Sequence, residues 1–260
     1  MGVKYIHGTN SEEQTRLSML NEITNHSFID FLKLKGNENI VDIGAGMGTL
    51  ANTIVTKYNN IRITGIELSH EQLQKAPINV NLSFIQGDAS ELPLENNIFD
   101  IVYTRYLLEH VKNPVTVLNE AYRVLKEGGR LFVQENNILC MQFYPECISF
   151  MAVWQKIAEL QNSLGGDACI GKKLFLLINE TPFKDIQLTI EPEVHYFGSQ
   201  KFDFWIENLI ENVIGAKDLL ITNNFCNERG IQDAIRELKD FRNNTSAATY
   251  FYWNRLSAVK

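Results

Sequence analysis

The chain has 260 residues, 45% of them apolar, enough to bury a sizeable core in one α/β domain with an elaboration. Its formal net charge of −7 leaves no basic footprint for nucleic acid, and the longest lysine–arginine run is the pair Lys172-Lys173. No apolar run approaches the ~20 residues of a membrane-spanning helix. Cys140, Cys147, Cys169 and Cys226 form no C-x-x-C pair and have no histidine at ligand spacing, which points to reduced, buried thiols and no metal site.

The N-terminus lacks a secretory apolar segment, and Ile6 stands where a myristoylation signal needs serine or threonine. A short aromatic leader, Tyr5-Ile6-His7-Gly8, precedes a helix expected over 9–35. That helix carries a Ser11/Gln14 capping box and apolar residues at helical spacing (Leu17, Leu20, Ile23, Phe28, Phe31, Leu32). From Ile40 to Glu135, strands and helices alternate, which predicts a parallel sheet. The alternation then stops. An apolar, aromatic stretch from Cys140 to Leu164 reads as one helix or two, and Gly165-Gly166 breaks it. A further helix is expected at Gly171–Ile178, a sixth strand near 183–192, two amphipathic helices over 200–242, and a last, antiparallel strand near 248–258.

The most informative segment is Val41-Asp42-Ile43-Gly44-Ala45-Gly46-Met47-Gly48. An apolar strand runs into three glycines at alternate positions and then into a helical pattern. Such a junction lets a ligand approach bare backbone at the mouth of a sheet, beside a helix N-terminus. The next strand, Arg62 to Ile66, ends in Glu67, an acid suited to accepting both hydroxyls of a ribose. The spacing D-x-G-x-G-x-G differs from the G-x-G-x-x-G of dinucleotide-binding chains. Asp42 places a carboxylate where a pyrophosphate is disfavoured and a cationic or ammonium-bearing ligand is favoured.

These motifs resemble those of the class I S-adenosylmethionine-dependent methyltransferases, of the small-molecule type found in ubiquinone/menaquinone-pathway-like and natural-product enzymes. The later motifs follow in that family's order: Phe84-Ile85-Gln86-Gly87-Asp88-Ala89, Phe99 to Tyr103 followed by Arg105-Tyr106-Leu107-Leu108-Glu109-His110-Val111, and Val124 to Val133 with its double glycine Gly128-Gly129. Glu127 stands where many relatives have proline. The resemblance implies S-adenosylmethionine as cofactor. It assigns Gly44, Ala45, Gly46 and Gly48 to close approach, Glu67 to the ribose, Leu68 and Gln72 to the same side, and Asp88 with the Ala89 amide to the adenine. It also brings Arg105, and a cap carrying Tyr5 and Arg16, toward the methionyl end. Structural alternatives stay open: Asp88 as a turn cap, Ser69 with Gln72 as a capping box, and Arg105 paired with Asp42 or Glu109.

The implied fold is a Rossmann-like, seven-stranded, mostly parallel sheet flanked by helices. A single domain is expected, with N-terminal cap helices (1–36), a cofactor-binding core (37–136), a helical lid (137–182 and 198–245) and last strands at 183–192 and 248–258. The implied reaction is methyl transfer to O, N or C of a small molecule by in-line displacement. His110 is the best-placed base, with Tyr5 and His7 as further candidates and His195 and Tyr196 behind them. Lid aromatics (Phe143, Tyr144, Phe150, Trp154) favour an enclosed, partly apolar acceptor. The expected setting is cytoplasmic, without nucleic acid, metal or stable membrane insertion, as a monomer or homodimer. A non-catalytic S-adenosylmethionine-binding protein and, less favoured, a nicotinamide-dependent oxidoreductase remain as alternatives.

Overall fold

The structure is a computed structural model and describes residues 20, 21 and 24–260. Residues 20–21 and 24–31 are helical; the segment 24–31 is α1. The chain leaves this helix several residues before the expected end, because Lys33 and Gly36 adopt positive φ (47° and 100°). The Glu38 carboxylate then accepts the N–H groups of Lys35, Gly36 and Asn37, which fixes the entry into the sheet.

The sheet alternation follows: β1 (Asn39–Ile43), α2 (Thr49–Lys57), β2 (Arg62–Glu67), α3 (His70–Leu73), β3 (Leu82–Gln86), β4 (Phe99–Arg105), α4 (Pro114–Val124) and β5 (Leu125–Glu135). All neighbours among β1 to β5 are parallel. Proline at the first turn and an Asn113 side chain accepting from Thr116 N–H start α4 cleanly. The double glycine Gly128-Gly129 does not form a turn between α4 and β5, which follow each other directly at Val124 and Leu125. It lies inside β5, where the register against β4 shifts between Phe99 and Ile101.

Beyond β5 lie β6 (Gln142–Tyr144), α5 (Ile148–Ser163), α6 (Leu174–Ile178), β7 (Lys184–Tyr196), α7 (Phe202–Thr222), α8 (Glu228–Arg242) and β8 (Ala248–Val259). Among the described residues the sheet has eight strands where seven are expected. The additional strand is β6, in a stretch that reads as helix by composition. Pro145 bars helix continuation there, and Gln142-Phe143-Tyr144 alternates exposed, buried, exposed against the edge of β8. β8 runs antiparallel to β5, β6 and β7. The order is β3-β2-β1-β4-β5-β8-β6, with β7 on the other side of β8.

Three apolar clusters hold these layers together. Phe28, Ile29 and Leu32 of α1 and its end pack with α2 on Ile40, Ile101 and Tyr103. On the opposite face α4 and α6 cover Val41, Val102, Leu131 and Leu256. The third cluster joins α5, α7 and α8 to β6 and to Phe251 and Trp253 of β8. So α6, expected as part of a lid, packs with the sheet core, whereas α5, α7 and α8 form a separate helical layer. Among the described residues no helix is long and apolar enough to cross a membrane, and no cluster of three metal-ligating side chains is present.

Candidate active site

In the strand order the sequence direction reverses between β1 and β4, and the crevice outside the carboxyl ends of such strands is where α/β sheets bind ligands. A cavity of about 780 Å³ opens there. One half is built from strand ends: Gly44 and Gly46 after β1, Glu67 at the end of β2, Leu68, Ser69 and Gln72, then Asp88 and Ala89 after β3.

Glu67 is held by two backbone donors. Gly46 N–H reaches its Oε2 and Ser69 N–H its Oε1, both at 2.9 Å. Each oxygen keeps a lone pair for a ligand hydroxyl. Ser69 Oγ caps α3 by accepting from Gln72 N–H at 3.3 Å, while the Gln72 side chain reaches the cavity. Asp88 serves both readings of the sequence. Its Oδ1 accepts the amide and hydroxyl of Ser90, which holds the carboxyl below its usual range, and among the described residues no donor reaches Oδ2. The Ala89 N–H likewise has no acceptor among the described residues. A diol acceptor, an amine acceptor and a free amide donor in one crevice fit the ribose and adenine of S-adenosylmethionine.

The three glycines differ in what they do. Gly44 (φ 79°) lies against Leu107, and Gly46 (φ 56°) lies beside Gln72 Oε1; both line the cavity. Gly48 and Ala45 do not line it. A Cβ on Gly48 would sit 2.3 Å from the Phe84 ring, so this glycine serves packing.

Asp42 lies beneath the glycine turn, off the cavity wall, with Tyr103 Oη–H donating to its Oδ2 at 2.8 Å. Burial raises its pKa from 3.8 to about 7, opposed by the Tyr103 bond and Arg105. The unfolded chain releases this proton near pH 4 and the folded chain holds it to about pH 7. The stability is full below pH 4 and is lost as pH rises through 7, to a total of roughly 4 kcal/mol. Asp42→Asn keeps an acceptor for Tyr103 and cannot ionise. Its melting temperature relative to the parent's is expected to be higher by several degrees more at pH 8 than at pH 4.5, where most of the Asp42 contribution is still present. A shift of the same size at both pH values would show that Asp42 does not titrate in this window.

Arg105, at the end of β4, lines the cavity and pairs with neither acid proposed for it. Its guanidinium donates to Asn21 and, at 3.3 Å, to Thr24 Oγ1, and it lies over the rings of Phe28 and Tyr106. The following turn is fastened by Glu135, whose Oε1 accepts the N–H groups of Leu107 (3.0 Å) and Leu108 (2.8 Å). Full burial and the neighbouring Glu109 push the Glu135 carboxyl well above the ordinary carboxylate range. Glu109 itself reaches the cavity and accepts from Asn136 Nδ2 (2.5 Å) and Gln161 Nε2 (3.0 Å). His110 also lines the cavity, its Nε2 3.9 Å from Glu109 Oε1.

The other half of the cavity is walled by α5, α7 and β8: Trp154, Ile157, Gln161, Trp205, Asn208, Asn212, Phe251 and Trp253. Of the four lid aromatics singled out by sequence, only Trp154 faces the cavity; Phe143 and Phe150 are core, and Tyr144 is exposed. Trp205, Phe251 and Trp253 carry no motif, and only the pairing of β8 with β5 and the packing of α7 reveal them. His195 falls inside β7, buried behind this wall, stacked on Trp205 at 4.8 Å and 3.2 Å from Glu193 Oε2. Tyr196 points to solvent. Tyr5, His7 and Arg16 lie outside the described residues.

Comparison with known proteins agrees with this geometry. A methyltransferase-domain family profile matches residues 41–133. A Schizosaccharomyces pombe protein described as an uncharacterised methyltransferase is 34% identical over 72% of this chain and 72% of its own. The ubiquinone/menaquinone biosynthesis C-methyltransferase UbiE of Ruegeria is 28% identical over 45% of this chain and 49% of its own. Haemonchus contortus phosphoethanolamine N-methyltransferase 2, solved with S-adenosylhomocysteine, shares the fold at TM-score 0.56 and 18% identity, over 95% of this chain and 52% of that one. The chain thus spans most of the yeast relative and about half of the other two. Fold, cavity and relatives together define an S-adenosylmethionine-dependent methyltransferase. The chain belongs to the class I family of these enzymes.

Proposed function

We propose that the chain methylates a small-molecule acceptor enclosed in the tryptophan-lined half of its cavity. The observation that carries this reading is continuity: one cavity joins the strand-end acids Glu67 and Asp88 to a wall of indoles and amides, and the bond from Gln161 to Glu109 ties the two halves. The wall formed by α5, α7 and β8 presents Trp154, Trp205, Trp253, Asn208 and Asn212 and, among the described residues, no lysine or arginine, the cations of the cavity being Arg105 and Lys112 on the β4 side. This favours a partly apolar acceptor with hydrogen-bonding groups. The buried Trp205 indole N–H has no acceptor among the described residues, so an oxygen on the ligand would satisfy it.

S-adenosylmethionine, when bound, supplies a methyl group on a sulfonium that is displaced in line. The chain's own part is to bind, orient and exclude water. Glu67, Gln72, Asp88 and Ala89 would hold the nucleoside, Gly44 and Gly46 admit it against backbone, and α5 and α7 close the acceptor side. The His110 imidazole accepts the proton that the acceptor loses.

The reading is tested by incubating the protein and methyl-labelled cofactor with cell extracts, which should yield a labelled small molecule. Persistent absence of label with intact cofactor binding would identify a binding protein instead. Once an acceptor is known, His110→Ala is expected to lower turnover about 100-fold while cofactor affinity stays unchanged by calorimetry. Unaltered turnover would remove His110 as the base.

A further inference from the structure

Where β7, the first half of β8 and β6 run side by side, one face is buried and, among the described residues, the other is largely exposed, up to Leu256 and Ala258, which α4 and α6 cover. In β7 the odd positions Glu193 and His195 turn inward, while Leu188, Ile190, Pro192, Val194 and Tyr196 are exposed. The register carries the pattern across the sheet: Val194 is level with Tyr250, which is level with Gln142, and Tyr196 with Ala248, which is level with Tyr144. Successive residues of a strand point to opposite faces, so these even positions share one surface.

We propose that this face is a docking surface for a second copy of the chain. Tyr144, Leu188, Ile190, Val194, Tyr196 and Tyr250 are 47–68% exposed. Those fractions amount to about 600 Å² of mainly apolar surface, at the upper end of the roughly 300–600 Å² range for the largest patch of an ordinary monomer. Two copies related by a two-fold axis would bury about 1,200 Å², the lower end of the range for a standard specific interface. No ionised side chain occurs at the even positions from Leu188 to Tyr196, so the face meets its own image without like-charge repulsion. A net charge of −7 disfavours an anionic lipid surface as the occupant. Pro192, lacking an N–H, interrupts the outer edge of β7, which favours face-to-face packing over strand addition. The inward face of the same strands carries Phe251 and Trp253, so pairing would stiffen the cavity wall from behind.

Sedimentation of the full chain between 1 and 100 μM tests the proposal. The parent is expected to be a dimer. Ile190→Asp in β7 and Tyr250→Asp in β8 should each weaken association at least 100-fold, with cofactor affinity within threefold of the parent as proof of folding. Should an aspartate variant fail to fold, the milder Ile190→Ser should still raise the dimer dissociation constant at least tenfold. Phe204→Asp, an exposed aromatic on α7, should leave the dimer intact. The proposal is overturned by a parent that stays monomeric at 100 μM, alone or bound to phosphatidylcholine vesicles. It is equally overturned by a dimer that survives the β7 and β8 changes in folded protein.

Discussion

Glu67→Ala is expected to abolish measurable S-adenosylmethionine binding in the micromolar range while leaving a folded protein. The carboxylate is placed to take two ligand hydroxyls, and hydrogen bonds to a charged group are worth about 1.5–3 kcal/mol each. Losing both raises the dissociation constant by at least about 100-fold. The substitution also frees the Gly46 and Ser69 N–H groups that the carboxylate holds at 2.9 Å, so the turn that admits the cofactor loses its anchor. Glu67→Gln keeps the shape and one acceptor oxygen and is expected to cost about tenfold. Calorimetry on both variants, beside their thermal melts, separates contact from turn geometry. Unchanged affinity in a folded Glu67→Ala protein would remove Glu67 from the cofactor site.

Gly48→Ala is expected to act on the fold. Gly48 sits at the N-terminus of α2 with φ 72° and ψ 17°, a left-handed conformation that costs other residues about 1–2 kcal/mol. The new methyl would lie 2.3 Å from Phe84 Cζ and 2.7 Å from its Cε1, and overpacking of this kind adds about 1–3 kcal/mol. The sum is a large share of the ~5–15 kcal/mol that holds a domain folded. A melting temperature lowered by about 5–15 °C follows. Phe84→Leu in the same chain should recover the packing part and leave the backbone part. Gly46→Ala is the contrast: its Cβ meets only the flexible end of Gln72, at 3.0 Å, and it faces the cavity. Its φ of 56° carries the same left-handed backbone cost without the clash, so the melt should fall by less than for Gly48→Ala while cofactor affinity falls as well. Equal melting temperatures for Gly48→Ala and the parent would overturn the packing account.

These two glycines show how far the sequence could be read. D-x-G-x-G-x-G announces a turn at a sheet mouth, and Glu67 and Asp88 fall at the strand ends where the alternating pattern puts them. That information is local. The purpose of Gly48 is not, because it depends on a ring 36 positions later that also fills the space over Gly65. Asp42 misleads for a similar reason: its carboxylate is adjacent to the glycines in sequence, yet strand alternation turns it inward onto Tyr103 of the neighbouring strand. The acceptor half was the least legible. Trp205 on α7 precedes Phe251 and Trp253 of β8 by more than 40 positions, and all three look like ordinary core aromatics until β8 is placed beside β5. A three-residue strand such as β6 is invisible to periodicity, since it completes no helical or strand repeat.

β8 is a single uninterrupted strand that joins β5 through residues 254–259 and β6 through residues 248–250. It acts as a beam crossing from the cofactor-binding sheet into the acceptor chamber. Such a beam ties Trp253 to the β5 end through the backbone ladder and not through the helices packed above it. On the function proposed above, α5 and α7 would then be the elements along which acceptor preference can change without disturbing the strand ends that face the cofactor.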